Sequence, residues 1–231
     1  MAQINQVKIG NNTFSPADWT SSDNLYSTVE IKTGNTQDLT AFSYGRGGYV
    51  PGSPTQRKAE LVDTNLEGEG ARLPDNEALL IYSVSVGFYY SPAATSGAGD
   101  DDNVQAPNLG LRNILRLQKD IIGELTIASL QKIYKQAPIG YYAEGMGVES
   151  GMASGSGFNP AQGYVMAFNG ATSIKGVRKF ASPEFIKGAE TFGFRLRFPN
   201  GEVRNLTLNG NANDRIVARV WLRGIRKRPV A

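Results

Sequence analysis

A chain with no histidine and no cysteine has little left for catalysis except its carboxylates. Without histidine the usual general base at neutral pH is gone. So are the histidine-dependent nucleophile arrangements and nearly all zinc, copper and non-haem iron sites. Without cysteine there are no disulfides and no thiolates. Two carboxyl groups at a defined separation suffice for glycoside hydrolysis, and Glu67 with Glu69, or Glu144 with Glu149, supply pairs close in sequence. No motif surrounds either pair, and chain spacing does not set the distance between carboxyl groups. Asp100-Asp101-Asp102 offers hard oxygen ligands suited to Ca²⁺, yet it lacks the alternating ligands and terminal Glu of a calcium loop and reads as a solvated acidic loop. The tract from Gly145 to Gly157 has no Gly-Lys-Ser/Thr ending and no strand-to-helix frame for phosphate. No catalytic, cofactor-binding or metal residue is assigned, and the chain is expected not to be an enzyme. A carboxylate-only glycoside hydrolase is the last of the alternatives.

The basic residues form the most distinctive cluster. Arg215, Arg219, Arg223, Arg226, Lys227 and Arg228 crowd one end of a chain whose net charge is only +3. The run around them is β-rich, and in a strand residues 215, 219 and 223 point to one side. Two readings stand: contact with phosphate in nucleic acid or lipid head groups, or with an acidic neighbouring subunit; or a solvated strand face with a charged end. Residues 226–231 read as a tail separable from the fold. Tyr89-Tyr90, Tyr141-Tyr142, Trp19 and Trp221 suit sugar platforms or core and interface anchors. Trp19, Tyr44, Tyr49, Phe158 and Phe185 fall in segments that read as loops. Loops run over the surface, so these aromatics are expected to fold back or to meet a partner as interface anchors.

Strands must position these groups. Hydrophobic residues make up 40% and charged residues 19% of the chain, and glycine is frequent at 27 positions, a composition for a folded, turn-rich domain. The first residues have neither the basic nor the apolar region of a signal peptide. Leu79 to Tyr90 alternates with period two, Tyr82, Val84, Val86, Phe88 and Tyr90 opposing Ile81, Ser83, Ser85, Gly87 and Tyr89, with a bend expected near Gly87. Phe192, Phe194, Leu196 and Phe198 oppose Gly193, Arg195 and Arg197. Ile216, Ala218, Val220 and Leu222 oppose Val217, Arg219, Trp221 and Arg223. Further strands are expected over Gln3–Ile9, Leu25–Lys32, Lys58–Asp63, Tyr164–Asn169 and Glu202–Leu208, the last reached through a Pro199-Asn200-Gly201 hairpin turn. Phe42 to Pro54 reads as a long loop. Leu111, Ile114, Leu115, Ile122 and Leu125 recur at helical spacing, which predicts a helical insertion over about 108–137, followed by a Gly-rich loop over about 140–162. The expected fold is all-β, an antiparallel jelly-roll sandwich or barrel in a single domain over 1–231.

A β-dominated, cysteine-free chain with long loops, Arg72-Leu73-Pro74-Asp75 leading into Leu79–Tyr90, and a final Ile216–Ala231 stretch resembles the jelly-roll major capsid proteins of icosahedral prokaryotic viruses, especially those with an internal membrane. The resemblance is one of texture across most of the chain and carries no functional residue. It implies a structural virion protein: a capsid shell subunit, made in the host cytoplasm, that assembles with itself as a homotrimer or larger unit and with other capsid proteins. Membrane lipid or genome would lie against the basic end. The alternative is a carbohydrate-binding β-sandwich module, lectin-like or on a phage fibre.

Overall fold

The computed structural model describes residues 7–9, 12–14, 19–21, 24–32, 37–53, 56–67, 70–91, 117–127, 132–142, 149–152, 165–168, 179–199 and 215–227. In chain order the strands are β1 (Val7–Ile9), β2 (Asn12–Phe14), β3 (Trp19–Ser21), β4 (Leu25–Ile31), β5 (Leu39–Ala41), β6 (Ala78–Ser91), β7 (Ile122–Ile127), β8 (Lys132–Pro138), β9 (Glu149–Met152), β10 (Val165–Phe168), β11 (Lys179–Ile186), β12 (Phe192–Arg197) and β13 (Arg215–Lys227). Two antiparallel sheets dominate. The first runs β11-β6-β13, with β3 and β4 both lying along the far edge of β13; the second runs β5-β12-β7-β8. β1 with β2, and β9 with β10, form separate two-stranded ribbons. From β4 onward successive strands of the two large sheets alternate: β4 in the first, β5 in the second, β6 in the first, β7 and β8 in the second, β11 in the first, β12 in the second, β13 in the first.

The two sheets share one apolar core. The first contributes Leu25, Val29 and Ile31 from β4, Ile216, Ala218, Val220 and Leu222 from β13, and Val84, Val86 and Phe88 from β6; the second contributes Phe192, Phe194, Leu196, Leu125 and Ile127. Phe194 meets Tyr142 edge-on at 5.2 Å, and Phe192 lies 5.6 Å from Phe42. These are the alternating positions of the sequence, placed on the buried face as the pleat requires. At one end of the sandwich Lys135 of β8 reaches β11, with its Nζ 3.8 Å from Glu184 and 4.1 Å from the Phe180 ring centroid.

Three expectations are corrected, and β6 shows a feature the sequence reading did not name. Arg223 pairs with Ser83 and Gly224 with Ile81, so Tyr82 is an extra, bulged residue on its strand. The insertion reverses the parity, which brings Leu79 and Ile81 onto the same core as Val84 and Val86. A Cβ on Gly224 would stand 2.0 Å from the Leu80 carbonyl oxygen, so only glycine fits opposite the bulge. The helical insertion is not formed as expected: 117–120 is one helical turn, 122–127 and 132–138 pair as the β7–β8 hairpin, and 108–116 lies outside the described residues. Tertiary pairing with β12 overrides the helical spacing, and Gly123 has a reason to be there, since a Cβ would meet the Phe194 ring at 2.6 Å. Residues 58–63 form a bridge at Lys58 and a turn, not a strand. The Gly-rich stretch includes the ribbon strand β9 and a 3₁₀ turn at Ile139–Tyr142. The Pro199-Asn200-Gly201 turn and Glu202–Leu208 fall at or beyond the limit of the described residues.

Candidate functional site

The outer face of the first sheet is built from aligned residues of β4 and β13: Glu30 opposite Val217, Thr28 opposite Arg219, Tyr26 opposite Trp221. Residues 42–67 fold back across this face and along the free edge of β4, around a small core of Tyr44, Val50 and Ala59. The outward N–H groups of β4 find partners there. Tyr26 N–H donates to Asn65 Oδ1 at 2.9 Å, Thr28 N–H to Tyr44 Oη at 3.1 Å, and Glu30 N–H to the Pro51 carbonyl at 2.9 Å. The Tyr44 hydroxyl in turn donates to the Thr28 carbonyl, and Thr64 Oγ1 donates to the Tyr26 carbonyl at 3.0 Å. Side chains, with the Pro51 carbonyl, thus do what a further strand would do, and the edge is closed to pairing.

Arg57 ties this segment to the sheet. It donates to Glu30 Oε1 at 2.8 Å and to both Asp63 oxygens at 2.8 and 2.6 Å. Burial pushes the Asp63 carboxyl up, but the Arg57 hydrogen bonds and the Glu60 N–H outweigh it and hold the group below its ordinary value. The Asp63 hydrogen bond leads the effects that hold Arg57 above its own. Burial pushes Tyr44 up to about 12, against the opposing pull of its hydrogen bonds with Ser27 and Thr28.

The basic residues do not form one solvated stripe. Arg219 lies between aromatic rings, its guanidinium 5.8 Å from the Tyr26 centroid and 5.9 Å from that of Trp221, and donates to Thr28 Oγ1 at 3.3 Å and to the Val62 carbonyl at 2.8 Å. Arg223 donates to Ser85 Oγ at 3.2 Å. Long side chains laid over β6 in this way account for the burial of Ser83 and Ser85 on an outer face. Arg226 corrects the expectation most sharply. It is 0% exposed, and its Nε and Nη2 both donate to Glu77 Oε2, the former at 2.7 Å. It is part of the fold and is neither a phosphate contact nor the start of a tail. Lys227 is half-buried; the Arg215 side chain and Arg228 lie outside the described residues.

The outer face of the second sheet holds a charged cluster with no local sequence signal. Glu124 of β7 is fully buried on that face. It accepts from Arg195 Nε and Nη2 at 2.9 and 2.7 Å, from Arg197 Nη1 at 3.3 Å and from Gln136 Nε2 at 2.8 Å. Register explains it: Glu124 is directly opposite Arg195 on β12 and Gln136 on β8.

Of the possible interface aromatics, Tyr44 takes the fold-back alternative: it is buried within its own chain and is not an interface anchor. Tyr49 is exposed and Phe185 half-buried, while the Trp19 side chain and Phe158 fall outside the described residues. Of the candidate carboxylate pairs, Glu67 is ion-paired to Arg46 at 2.8 Å, and Glu69, Glu144 and the Glu149 side chain lie outside the description, as does Asp100–Asp102. Among the described residues no helix is long and apolar enough to cross a membrane. No family model, curated protein or solved structure matches the chain.

Proposed function

We propose that this chain is a jelly-roll shell subunit of a virus capsid, working through packed faces rather than through catalysis. Strand order carries the reading. Counting the eight strands of the two large sheets from β4 to β13, one sheet runs first-eighth-third-sixth and the other second-seventh-fourth-fifth. With β3 set aside, that order supports the jelly-roll reading, a double-sheet architecture used by capsid and lectin domains. Two further features support a shell role. The edge of β4 is closed by 42–67, and β11 departs from β6 register between Lys179 and Glu184 across a stretch holding Pro183, both devices that prevent uncontrolled edge-to-edge growth. The outer faces of both sheets carry guanidinium groups fixed by neighbours, suited to defined contacts with other subunits.

In this reading the partners are further copies of the chain, as trimers or larger units, together with other capsid proteins. The basic end approaches membrane lipid or genome inside the virion, with Arg226 excluded from that contact by its burial. The test is electron microscopy and multi-angle light scattering of the purified full chain across salt concentrations. Trimers or larger closed assemblies are expected; a monomer under every condition overturns the reading. A glycan array run beside it distinguishes the carbohydrate-binding alternative, which requires saturable binding by the monomer.

A further inference from the structure

Where β5 ends, another stretch of chain takes over its edge of β12. β5 pairs with Phe194, Arg195 and Leu196. Beyond it the Phe192 N–H donates to the Ala71 carbonyl at 2.8 Å, and Arg72 bridges to Thr191. The Ala189 N–H donates to the Leu73 carbonyl at 3.0 Å. Residues 70–76 thus form a strap laid on the 187–191 turn and the start of β12. The chain is fastened on either side of it. Leu66 is fully buried before the strap, and after it Glu77 is paired with the buried Arg226. Of residues 70–76 only Leu73 is buried, and no residue of the 187–191 turn is.

The strap lies down at a cost. Non-glycine residues avoid the left-handed backbone region, yet three of them meet here: Phe42 at φ 66°, Ala71 at 72° and Ala189 at 58°. The Ala71 N–H donates to the Phe42 carbonyl, so all three strained positions are joined through the strap. The approach is close on both sides. A Cβ on Gly70 would stand 2.1 Å from Tyr44 Cα, and one on Gly188 would stand 2.2 Å from the Asp75 carbonyl oxygen. Strain of this kind persists only where its surroundings over-determine it, and it gathers at clamps and switches. Phe42 is fully buried and held by the core, whereas Ala71 and Ala189 are not buried. Strain combined with little burial belongs to the low end of local stability. We infer that residues 70–76 and the 187–191 turn are a gate, opening as one unit while the rest of the sandwich stays folded. Opening frees the Phe192 N–H and the edge beside Thr191, and an unpaired strand edge is a template for another strand. The gate governs access to the β12 edge whatever the assembly state of the chain.

Amide hydrogen exchange of the full chain under native conditions tests this. The Ala71, Ala189 and Phe192 amides are expected to exchange at least about 100-fold faster than those of Phe194 and Leu196, deeper in the same strand. Equal rates overturn the inference. Ile216→Val separates the gate from global unfolding, because Ile216 is buried at the opposite end of β13 from Arg226. It is expected to speed the Phe194 and Leu196 amides about five-fold and to leave the three gate amides unchanged. Acceleration of all five by the same factor means that the strap leaves only when the whole protein unfolds, and it overturns the gate. The Ala71→Gly/Ala189→Gly variant relieves the strain without touching a buried side chain. The gate amides are then expected to slow at least about ten-fold. Unchanged rates in that variant show that strain does not set the opening, and they overturn the inference as well.

Discussion

Tyr44 places its hydroxyl against the free backbone edge of Thr28, donating to the Thr28 carbonyl and accepting from its N–H at 3.1 Å. One phenol oxygen thereby satisfies two main-chain groups that a neighbouring strand would otherwise claim. Tyr44→Phe keeps the ring in its small core and leaves both groups without that partner. The expected loss is about 1–3 kcal/mol in urea unfolding, with Tyr49→Phe, on the exposed side of the same segment, unchanged within error. Concentration-dependent light scattering is expected to rise in Tyr44→Phe as the β4 edge becomes open to pairing.

The same segment sets the pH range of stability at both ends. Asp63 has a folded-state pKa below its ordinary value of 3.8. On acidification the unfolded chain therefore binds the proton first. The contribution is complete above about pH 4 and is lost as pH falls through the depressed folded value. Tyr44 has the opposite sign: raised from 10.0 to about 12, it contributes fully below pH 10, and that contribution is lost as pH rises through 12. In stability measured against pH, Asp63→Asn is expected to flatten the acid limb and Tyr44→Phe the alkaline limb. Spectrophotometric titration is expected to show a class of tyrosines near pH 12, reduced by one in Tyr44→Phe.

Arg226 and Glu77 form a buried pair, and breaking such a pair from one side leaves an uncompensated charge. Arg226→Met is expected to lose about 3–5 kcal/mol. Truncation gives a sharper comparison: a chain ending after Lys227 folds, and a chain ending after Ile225 does not, as read by circular dichroism and proteolysis. Equal stability of the two would return residues 226 and 227 to the status of a tail.

Glu124 is expected to matter less than its burial suggests. Its partners Arg195 and Arg197 are 39% and 46% exposed and can turn to water when the carboxylate is removed. Glu124→Gln is expected to cost about 1–2 kcal/mol, below the range for a fully enclosed pair. The double change Glu124→Gln/Arg195→Gln in a mutant cycle measures the coupling directly.

The sequence marks strands well wherever one face alternates against a polar one. Phe192–Phe198 and Ile216–Ile225 emerge from pattern alone, because every second side chain must enter the shared core. Helical spacing misleads at 122–137: Ile122 and Leu125 fit a helix stripe as well as a hairpin, and only pairing with Phe192–Arg197, far along the chain, decides between them. The Tyr82 bulge leaves no trace except an unexplained parity change from Leu79 and Ile81 to Val84 and Val86. The arginine cluster at the end of β13 is visible as composition, but its division into surface and buried members depends on Glu77 and Ser85, which no local motif connects to it. Glu124 shows no signal, being a lone carboxylate in a segment that reads as helical until its register with Arg195 is known.

β13 comes after every other described strand in sequence, yet it lies inside its sheet, between β6 on one side and β3 and β4 on the other. A nascent chain emerging from the ribosome therefore holds β4 and β6 with a strand-wide gap between them until residues 215–227 have been synthesised. The first sheet cannot close domain-first from its early strands, and pairings of such long sequence separation form slowly. Until the gap is filled, Leu25, Val29, Val84 and Val86 lack the core neighbours that β13 supplies, and apolar surface and unpaired edges of this kind are where partly folded chains associate wrongly.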